Sequence, residues 1–122
     1  VPLDIYKSLN EGDILFVDSS HIVKLGSDVN FIISEVFPIL KKGVIVHIHD
    51  IFYPFQYPQK WFMEGRAWNE AYFIKAFLQY NDTFSILFFN NFMQRFYSDE
   101  VFKKLPDYCT DCGCGLWLIK EK

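Results

Sequence analysis

Residues 13–50 read DILFVDSSHIVKLGSDVNFIISEVFPILKKGVIVHIHD, and this stretch gives the clearest indication of the fold class. Its two ends, at 13–18 and 44–49, are mostly apolar runs, the pattern of strands covered on both faces in a parallel sheet. From Asp28 to Leu40 the apolar residues fall at helical spacing, and Gly43 supplies the stop. A strand, a helix and a second strand in this order predict a βαβ unit of an α/β sheet.

The segments around this unit extend the same α/β pattern. Pro38 lies inside the crossover helix and has no backbone N–H, which predicts a kinked or irregular last turn. A short helix is predicted at 2–9, and an irregular aromatic segment at 51–59. One long helix, best defined from Arg66, is predicted within 61–80, and a weak helix at 98–105. The third and fourth strands are predicted at 83–89 and 116–120.

Composition indicates one globular domain with more apolar surface than a small core can hide. The chain has 122 residues, of which 51% are hydrophobic and 14 are Phe, so part of this surface is expected to meet a partner or a missing half. A net charge of −3 without a basic stripe argues against a nucleic-acid groove. No run approaches the ~18 apolar residues of a membrane helix, and no signal pattern opens the chain, so we expect a cytoplasmic protein without a membrane partner.

Three cysteines lie close together at Cys109, Cys112 and Cys114. An odd number of them argues against a secreted disulfide framework and favours reduced thiols. A structural zinc site is the alternative, but it would need a fourth ligand that this stretch does not supply. Because the chain starts at Val1 rather than at Met, we expect it to have been cut from a longer sequence.

The strings LFVDSSH, LKKGVIVHIHDIF, WNEAYFIKAFL and CGCGLWLIK, in this order, resemble the C-terminal half of class I S-adenosylmethionine-dependent methyltransferases. The resemblance spans nearly the whole chain. It implies that the strand ending at Asp18 is the fourth of seven in a Rossmann-like sheet, that the strand ending at His49 is the fifth, and that the last two form an edge pair with an antiparallel last strand. The glycine-rich loop and the ribose-binding acid that grip the cofactor are absent. Residues 1–122 are therefore expected to be the C-terminal part of one methyltransferase domain, to bind S-adenosylmethionine poorly or not at all, and to be inactive alone.

Polar side chains follow both strands of the βαβ unit. Open α/β sheets bind ligands beyond the carboxyl ends of their strands, so Asp18, His21, His49 and Asp50 are expected to converge there. Two carboxylates and a histidine can hold a divalent ion such as Mg²⁺, which orients a substrate hydroxyl. His21 can then take the hydroxyl proton as a general base.

The D-x-x-H turn at Asp18–His21 resembles that of metal-dependent sugar O-methyltransferases. That resemblance implies Asp18 and Asp50 as metal ligands, His21 as the base, with Asp18 also in the catalytic set, and a sugar or other small-molecule hydroxyl as methyl acceptor. His49 stands where the family has the first acid of a pair, and a nitrogen ligand there favours Mn²⁺, Fe²⁺ or Zn²⁺ over Mg²⁺.

Structural roles compete with each of these assignments. Asp18 can simply cap the turn after its strand, and Asp50 can be an ordinary strand-to-loop acid. His47 is expected to be a hydrogen-bonded core histidine rather than a ligand. Glu70 fits either the cleft or a solvated helix face. Four aromatic residues can line an acceptor pocket, although core positions are favoured for them: Trp61, Trp68, Tyr72 and Phe73.

Two other functions remain open at this level. The chain can be a stand-alone interaction module that uses its aromatic surface and exposed first strand, or an inactive scaffold with the same fold. A half-sheet with an open edge also favours self-association.

Overall fold

A four-stranded mixed sheet is the centre of the fold. The structure is a computed structural model, and it describes residues 1–105 and 113–122. The sheet order is β1-β2-β4-β3, with the strands at Ile14–Val17 (β1), Ile45–His49 (β2), Phe84–Phe89 (β3) and Gly115–Lys120 (β4). β1 runs parallel to β2, and β4 runs antiparallel to both β2 and β3. The predicted α/β class, the parallel pair with its crossover helix and the antiparallel last strand are confirmed.

Helices connect the strands of the sheet. They lie at Leu3–Ser8 (α1), Asp28–Phe31 (α2), Phe37–Ile39 (α3), Gln59–Met63 (α4), Glu70–Gln79 (α5) and Asn90–Lys104 (α6), with a π-helical turn at Ile32–Val36 between α2 and α3. Within the described residues no helix is long and apolar enough to cross a membrane, and the longest, α6, has 15 residues.

The crossover between β1 and β2 begins regularly and then widens. Ser27 caps α2, because its Oγ accepts a hydrogen bond from the backbone N–H of Asn30 at 3.2 Å. The irregular last turn predicted from Pro38 is present, and the irregularity already starts at Ile32 as a π-turn. Proline offers no N–H to the carbonyl one turn before it, so regular α-helical bonding cannot continue through this point.

Two helix predictions were wrong in their bounds. The long helix expected over 61–80 is divided into α4 and α5, because Gly65 adopts a left-handed φ of 81° and the chain leaves helical geometry until Glu70. The weak helix expected over 98–105 is the second part of α6, which begins at Asn90 and is interrupted by non-helical backbone at Tyr97.

The core lies on one face of the sheet. Alternate strand residues point into it, and Val46, Ile48, Leu116 and Leu118 are each no more than 1% exposed. The helices contribute further core side chains, among them Val36, Phe37, Ala71 and Ile74. The opposite face is less covered, since Ile14 and Phe16 of β1 are 54% and 61% exposed. This sheet therefore has one buried face and, at β1, one exposed apolar face next to an open edge.

Candidate functional site

The ends of β1 and β2 bring two carboxylates to one histidine. β1 and β2 pair in parallel with Val17 opposite Ile48, so Asp18 and Asp50 both follow the carboxyl ends of these strands, at the same end of the sheet. Nε2 of His21 lies 3.6 Å from Oδ1 of Asp18 and 3.8 Å from Oδ2 of Asp50. The structure therefore brings together Asp18, His21 and Asp50, as the spacing of the sequence predicts.

Glu70, for which the sequence allowed either the cleft or a solvated helix face, belongs to this site. Its Oε2 lies 2.9 Å from Nδ1 of His21 and accepts a hydrogen bond from Oγ of Ser19 at 3.0 Å. Both side chains are buried, since 3% of Glu70 and 7% of His21 is exposed. The alternative prediction, that Glu70 lies on a solvated helix face, is therefore wrong. The sequence held one indication of this role, since Glu70 lies between Trp68 and Ala71 and a carboxylate buried among apolar neighbours needs a partner.

The first turn of α5 holds the loop that carries His21. The carbonyl of His21 accepts hydrogen bonds from the backbone N–H groups of Asn69 and Glu70, at 3.0 and 3.2 Å. The Asn69 side chain bonds both backbone groups of Val23, accepting from its N–H at 2.6 Å and donating to its carbonyl at 3.2 Å. These four bonds fix the loop to α5, so forming the His21–Glu70 pair costs little further conformational entropy.

Among the described residues, three non-glycine residues adopt a left-handed φ, and two of them, His21 and Asp50, belong to this site. His21 and Asp50 adopt left-handed φ values of 58° and 56°, which cost roughly 1 kcal/mol for residues with a Cβ. The loop bonds of His21 hold its strained backbone in place, and the N–H of Asp50 donates to the carbonyl of Cys114 at 2.7 Å. Strained non-glycine residues of this kind cluster at functional sites.

Asp18 is not the turn cap that its position also allowed. Among the described residues, no backbone N–H donates to its carboxylate, and its side chain is 58% exposed. Asp28 anchors the turn instead, because its carboxylate accepts hydrogen bonds from the backbone N–H and the hydroxyl of Ser20, at 2.8 and 2.5 Å. The Asp18 carboxylate therefore faces solvent on one side and His21 on the other.

His49 stands at the margin of the cluster. Its Nε2 lies 3.7 Å from Oδ1 of Asp50, and its side chain is 42% exposed. The predicted metal ligands are Asp18, His49 and Asp50, but within the described part of the chain no three His, Cys, Asp or Glu side chains are grouped so as to hold a metal ion. Oδ1 of Asp50 also accepts a hydrogen bond from Sγ of Cys114 at 3.4 Å. Cys109 and Cys112, the other cysteines considered for zinc, lie outside the described residues.

His47 is buried, as expected for a core histidine, but its environment is aromatic rather than polar. Its ring stacks on Phe16 at 4.7 Å and meets Trp117 edge-on at 4.4 Å. Among the described residues its Nδ1 has no hydrogen-bond partner, so the hydrogen bond expected of a core histidine is missing at that nitrogen. Burial, reinforced by the charge of His49, lowers the pKa of His47, so this ring is neutral near pH 7.

An aromatic wall borders His21 on the side of α4. The wall comprises Tyr57, Trp61 and Trp68: the Trp68 ring lies 4.1 Å from that of His21, and Trp61 lies 5.0 Å from Trp68. Tyr57 meets both indoles, and burial raises the pKa of its phenol well above the ordinary value, so it remains neutral. The core position favoured for two other aromatic residues is wrong, since Tyr72 and Phe73 are about half exposed.

The charges around His21 favour its protonated form. Burial alone would lower the pKa of His21, because a low-dielectric setting disfavours the imidazolium. The hydrogen bond and charge of Glu70, followed by the charges of Asp50 and Asp18, outweigh burial and raise the pKa above its usual value. A histidine with a raised pKa is a stronger base when neutral and a ready proton carrier when charged.

Comparison of the chain with protein-family models, with curated proteins and with solved structures finds no match. The geometry of the site indicates what these side chains are able to do chemically. A buried carboxylate orients an imidazole, as the third member orients the base in a catalytic triad, and Nε2 points to the strand ends where a ligand would lie. This arrangement can move a proton to or from a hydroxyl group.

Replacing Glu70 by Gln tests the electrostatic part of this description. Glu70→Gln removes the charge while keeping an acceptor, so we expect the pKa of His21, followed by NMR titration, to fall. The free energy of unfolding should fall by about 2 kcal/mol below pH 6.5. Because the raised pKa of His21 stabilises the folded state only while the ring is charged, this difference should shrink as pH rises through the folded pKa.

The matched control is Glu35→Gln, an exposed acid on the π-turn. It should leave the pKa of His21 unchanged and alter stability by less than about 0.5 kcal/mol. An unchanged His21 titration in Glu70→Gln would contradict the pairing.

Proposed function

We propose that this chain is the acceptor side of an S-adenosylmethionine-dependent methyltransferase that methylates a hydroxyl group of a small molecule or sugar. The observation that carries the proposal is the buried Glu70–His21 pair, 2.9 Å between Oε2 and Nδ1, with Nε2 of His21 directed to the carboxyl ends of two parallel strands. Oxygen methylation needs a base at the acceptor hydroxyl, and an oriented imidazole with a raised pKa is suited to that task.

In this proposal His21 begins the reaction in its neutral form, with the proton on Nδ1 held by Glu70. S-adenosylmethionine, when bound, supplies a methyl group on a sulfonium sulfur, which leaves as a neutral thioether with the electron pair of the broken C–S bond. Nε2 of His21 takes the acceptor proton as the acceptor oxygen forms its bond to the methyl carbon. The resulting imidazolium is stabilised by Glu70, Asp18 and Asp50, which outweigh its burial.

The sheet topology supports the family part of the proposal. By the resemblance, β1, β2, β3 and β4 correspond to the fourth, fifth, sixth and seventh strands of a class I methyltransferase. The resemblance implies an edge pair with an antiparallel last strand, and β4 runs antiparallel to β2 and to the edge strand β3. The remaining strands of such a sheet would continue beyond β1, where the edge is open and Phe16 is 61% exposed. The glycine-rich loop that grips the cofactor is expected among those remaining strands. No residue of this chain is assigned to cofactor binding.

The aromatic wall supports an acceptor with a flat or apolar face. Trp68 stacks beside His21, and the exposed carboxylate of Asp18 lies on the other side of the same imidazole. A sugar or phenol ring against an indole would bring one hydroxyl to Nε2, while Asp18 would accept a hydrogen bond from a second. Such positioning of the acceptor is the role proposed for these two residues.

A divalent ion such as Mg²⁺ or Mn²⁺ on Asp18, His49 and Asp50 is not needed for these steps. Within the described residues no three side chains form a group of metal ligands, and both carboxylates lie at ion-pair distance from Nε2 of His21. We therefore derive no step through a metal. Restoration of activity by Mg²⁺ or Mn²⁺ after chelation would add the ion to the proposal.

The test is methyl transfer by the complete protein that carries this chain. With methyl-tritiated S-adenosylmethionine and a panel of sugar and phenolic acceptors, we expect His21→Ala to lower kcat by about 100-fold or more, the usual contribution of a general base. In the wild type, kcat/KM should rise with pH through the pKa of His21. In Glu70→Gln this profile should move to lower pH, because the charge that raises the pKa is lost.

Asp82→Asn is the control, since Asp82 is exposed and pairs with Lys122 away from the site. It should leave transfer and its pH profile unchanged. Transfer at the wild-type rate in His21→Ala would contradict the proposed base, and absence of transfer to any acceptor together with absence of cofactor binding would contradict the methyltransferase assignment.

A second candidate function, association with another chain through β1, rests on the same open edge. β1 pairs only with β2 among the described strands, and Ile14 and Phe16 expose apolar surface beside the free backbone groups. A second copy of the chain can add its own β1 to this edge.

Light scattering on the isolated 122-residue chain tests this candidate. We expect a dimer for the wild type and a monomer for Phe16→Lys, because a charge on the edge strand opposes pairing. Phe62→Lys is the matched control, since Phe62 is 74% exposed on α4 and should leave the dimer intact. A monomeric wild type at the highest soluble concentration would rule out self-association through this edge.

A further inference from the structure

A buried cation lies at the opposite end of the sheet from His21. Lys120 ends β4, pairs in register with Phe84, and is only 6% exposed. Its carbonyl accepts from the N–H of Gly43, just before β2 begins, so it lies at the amino ends of the parallel strands. Asp18 and Asp50 follow the carboxyl ends of the same strands, which makes the two regions separate.

The ammonium group of Lys120 has few partners for a buried charge. Its Nζ donates to the carbonyl of Phe37 at 3.1 Å and lies 4.7 Å from the centroid of the Phe84 ring. An ammonium carries three donors, and among the described residues no carboxylate lies within ion-pair distance of this one. Burial lowers the pKa of Lys120, because a low-dielectric setting disfavours the charged ammonium.

A cleft of about 300 Å³ opens next to this ammonium. Aromatic and proline side chains form most of its lining, and two polar residues lie with them: Phe37, Pro38, Phe77, Phe84, Asn81 and Thr83. Thr83 donates its hydroxyl to Asn81, so these polar groups partly satisfy each other. A concave apolar cleft with one buried charge is the usual form of a small-ligand site, although this one is at the small end of the range.

We propose that this cleft, defined by Phe77, Phe84 and Lys120, binds a small organic carboxylate with an apolar body. The carboxylate would accept hydrogen bonds from the remaining N–H groups of Lys120 and supply the counter-charge that the described residues do not provide there. The apolar body would pack against the rings of Phe77 and Phe84, which lie 5.5 Å apart. The site does not depend on methyl transfer, because none of its residues contacts His21 or the strand-end carboxylates.

Phenylacetate is the probe, because it joins one carboxylate to one ring. Titrated into the ¹⁵N-labelled chain, it should give saturable amide shifts at Thr83, Phe84 and Lys120, with a Kd on the order of 1 mM. Phenylacetamide has nearly the same shape without the charge, and we expect it to bind at least tenfold more weakly. Equal affinity for the acid and the amide would overturn the proposal, as would phenylacetate shifts confined to the His21 region.

Variants separate a ligand site from a purely structural lysine. Lys120→Met keeps a chain of similar length without charge and should lower phenylacetate affinity at least tenfold. Lys122→Met is the control, since Lys122 is exposed and pairs with Asp82, and it should leave the affinity unchanged. Unchanged affinity in Lys120→Met would overturn the proposal. If that variant fails to fold, the comparison of acid with amide on the wild type decides the question alone.

Discussion

The site depends on one buried contact, between Glu70 on α5 and His21 in the loop after β1. The two residues are 49 positions apart in sequence, so their 2.9 Å contact forms only when α5 packs against the sheet. Asn69 and the first amides of α5 bond the same loop, which ties the histidine to the helix by both its backbone and its side chain. Folding of the core therefore orients the imidazole, and no separate ordering step is needed when a ligand arrives.

Electrostatics then give this imidazole its chemical character. A buried histidine would ordinarily be neutral and weakly basic, but three carboxylates reverse that tendency. Their exposure differs: Glu70 is buried against Nδ1, whereas Asp18 is more than half exposed on the side of Nε2. The inner acid can set the orientation and basicity of the ring while the outer acids meet solvent or substrate. A similar division between an orienting acid and a reacting nitrogen recurs in enzymes that move protons.

The sequence predicted the sheet and the strand-end residues better than the contacts between elements. β1 and β2 are recognisable because apolar runs end in Asp18 and His49-Asp50, and parallel pairing follows from the crossover helix between them. Glu70 could not be placed, since an acid in the first turn of a helix is usually solvated, and only the packing of α5 brings it to His21. The break between α4 and α5 was missed because Gly65 inside an amphipathic pattern does not by itself end a helix.

The tautomer of His21 is the most direct measure of its contact with Glu70. A long-range ¹H–¹⁵N correlation spectrum of the imidazole, recorded above the pKa of His21, distinguishes which ring nitrogen carries the proton. If Glu70 orients the ring as described, the proton is on Nδ1 and Nε2 is bare and able to accept a proton. A proton found on Nε2 instead would contradict the account, because the nitrogen facing the strand ends could then not act as a base.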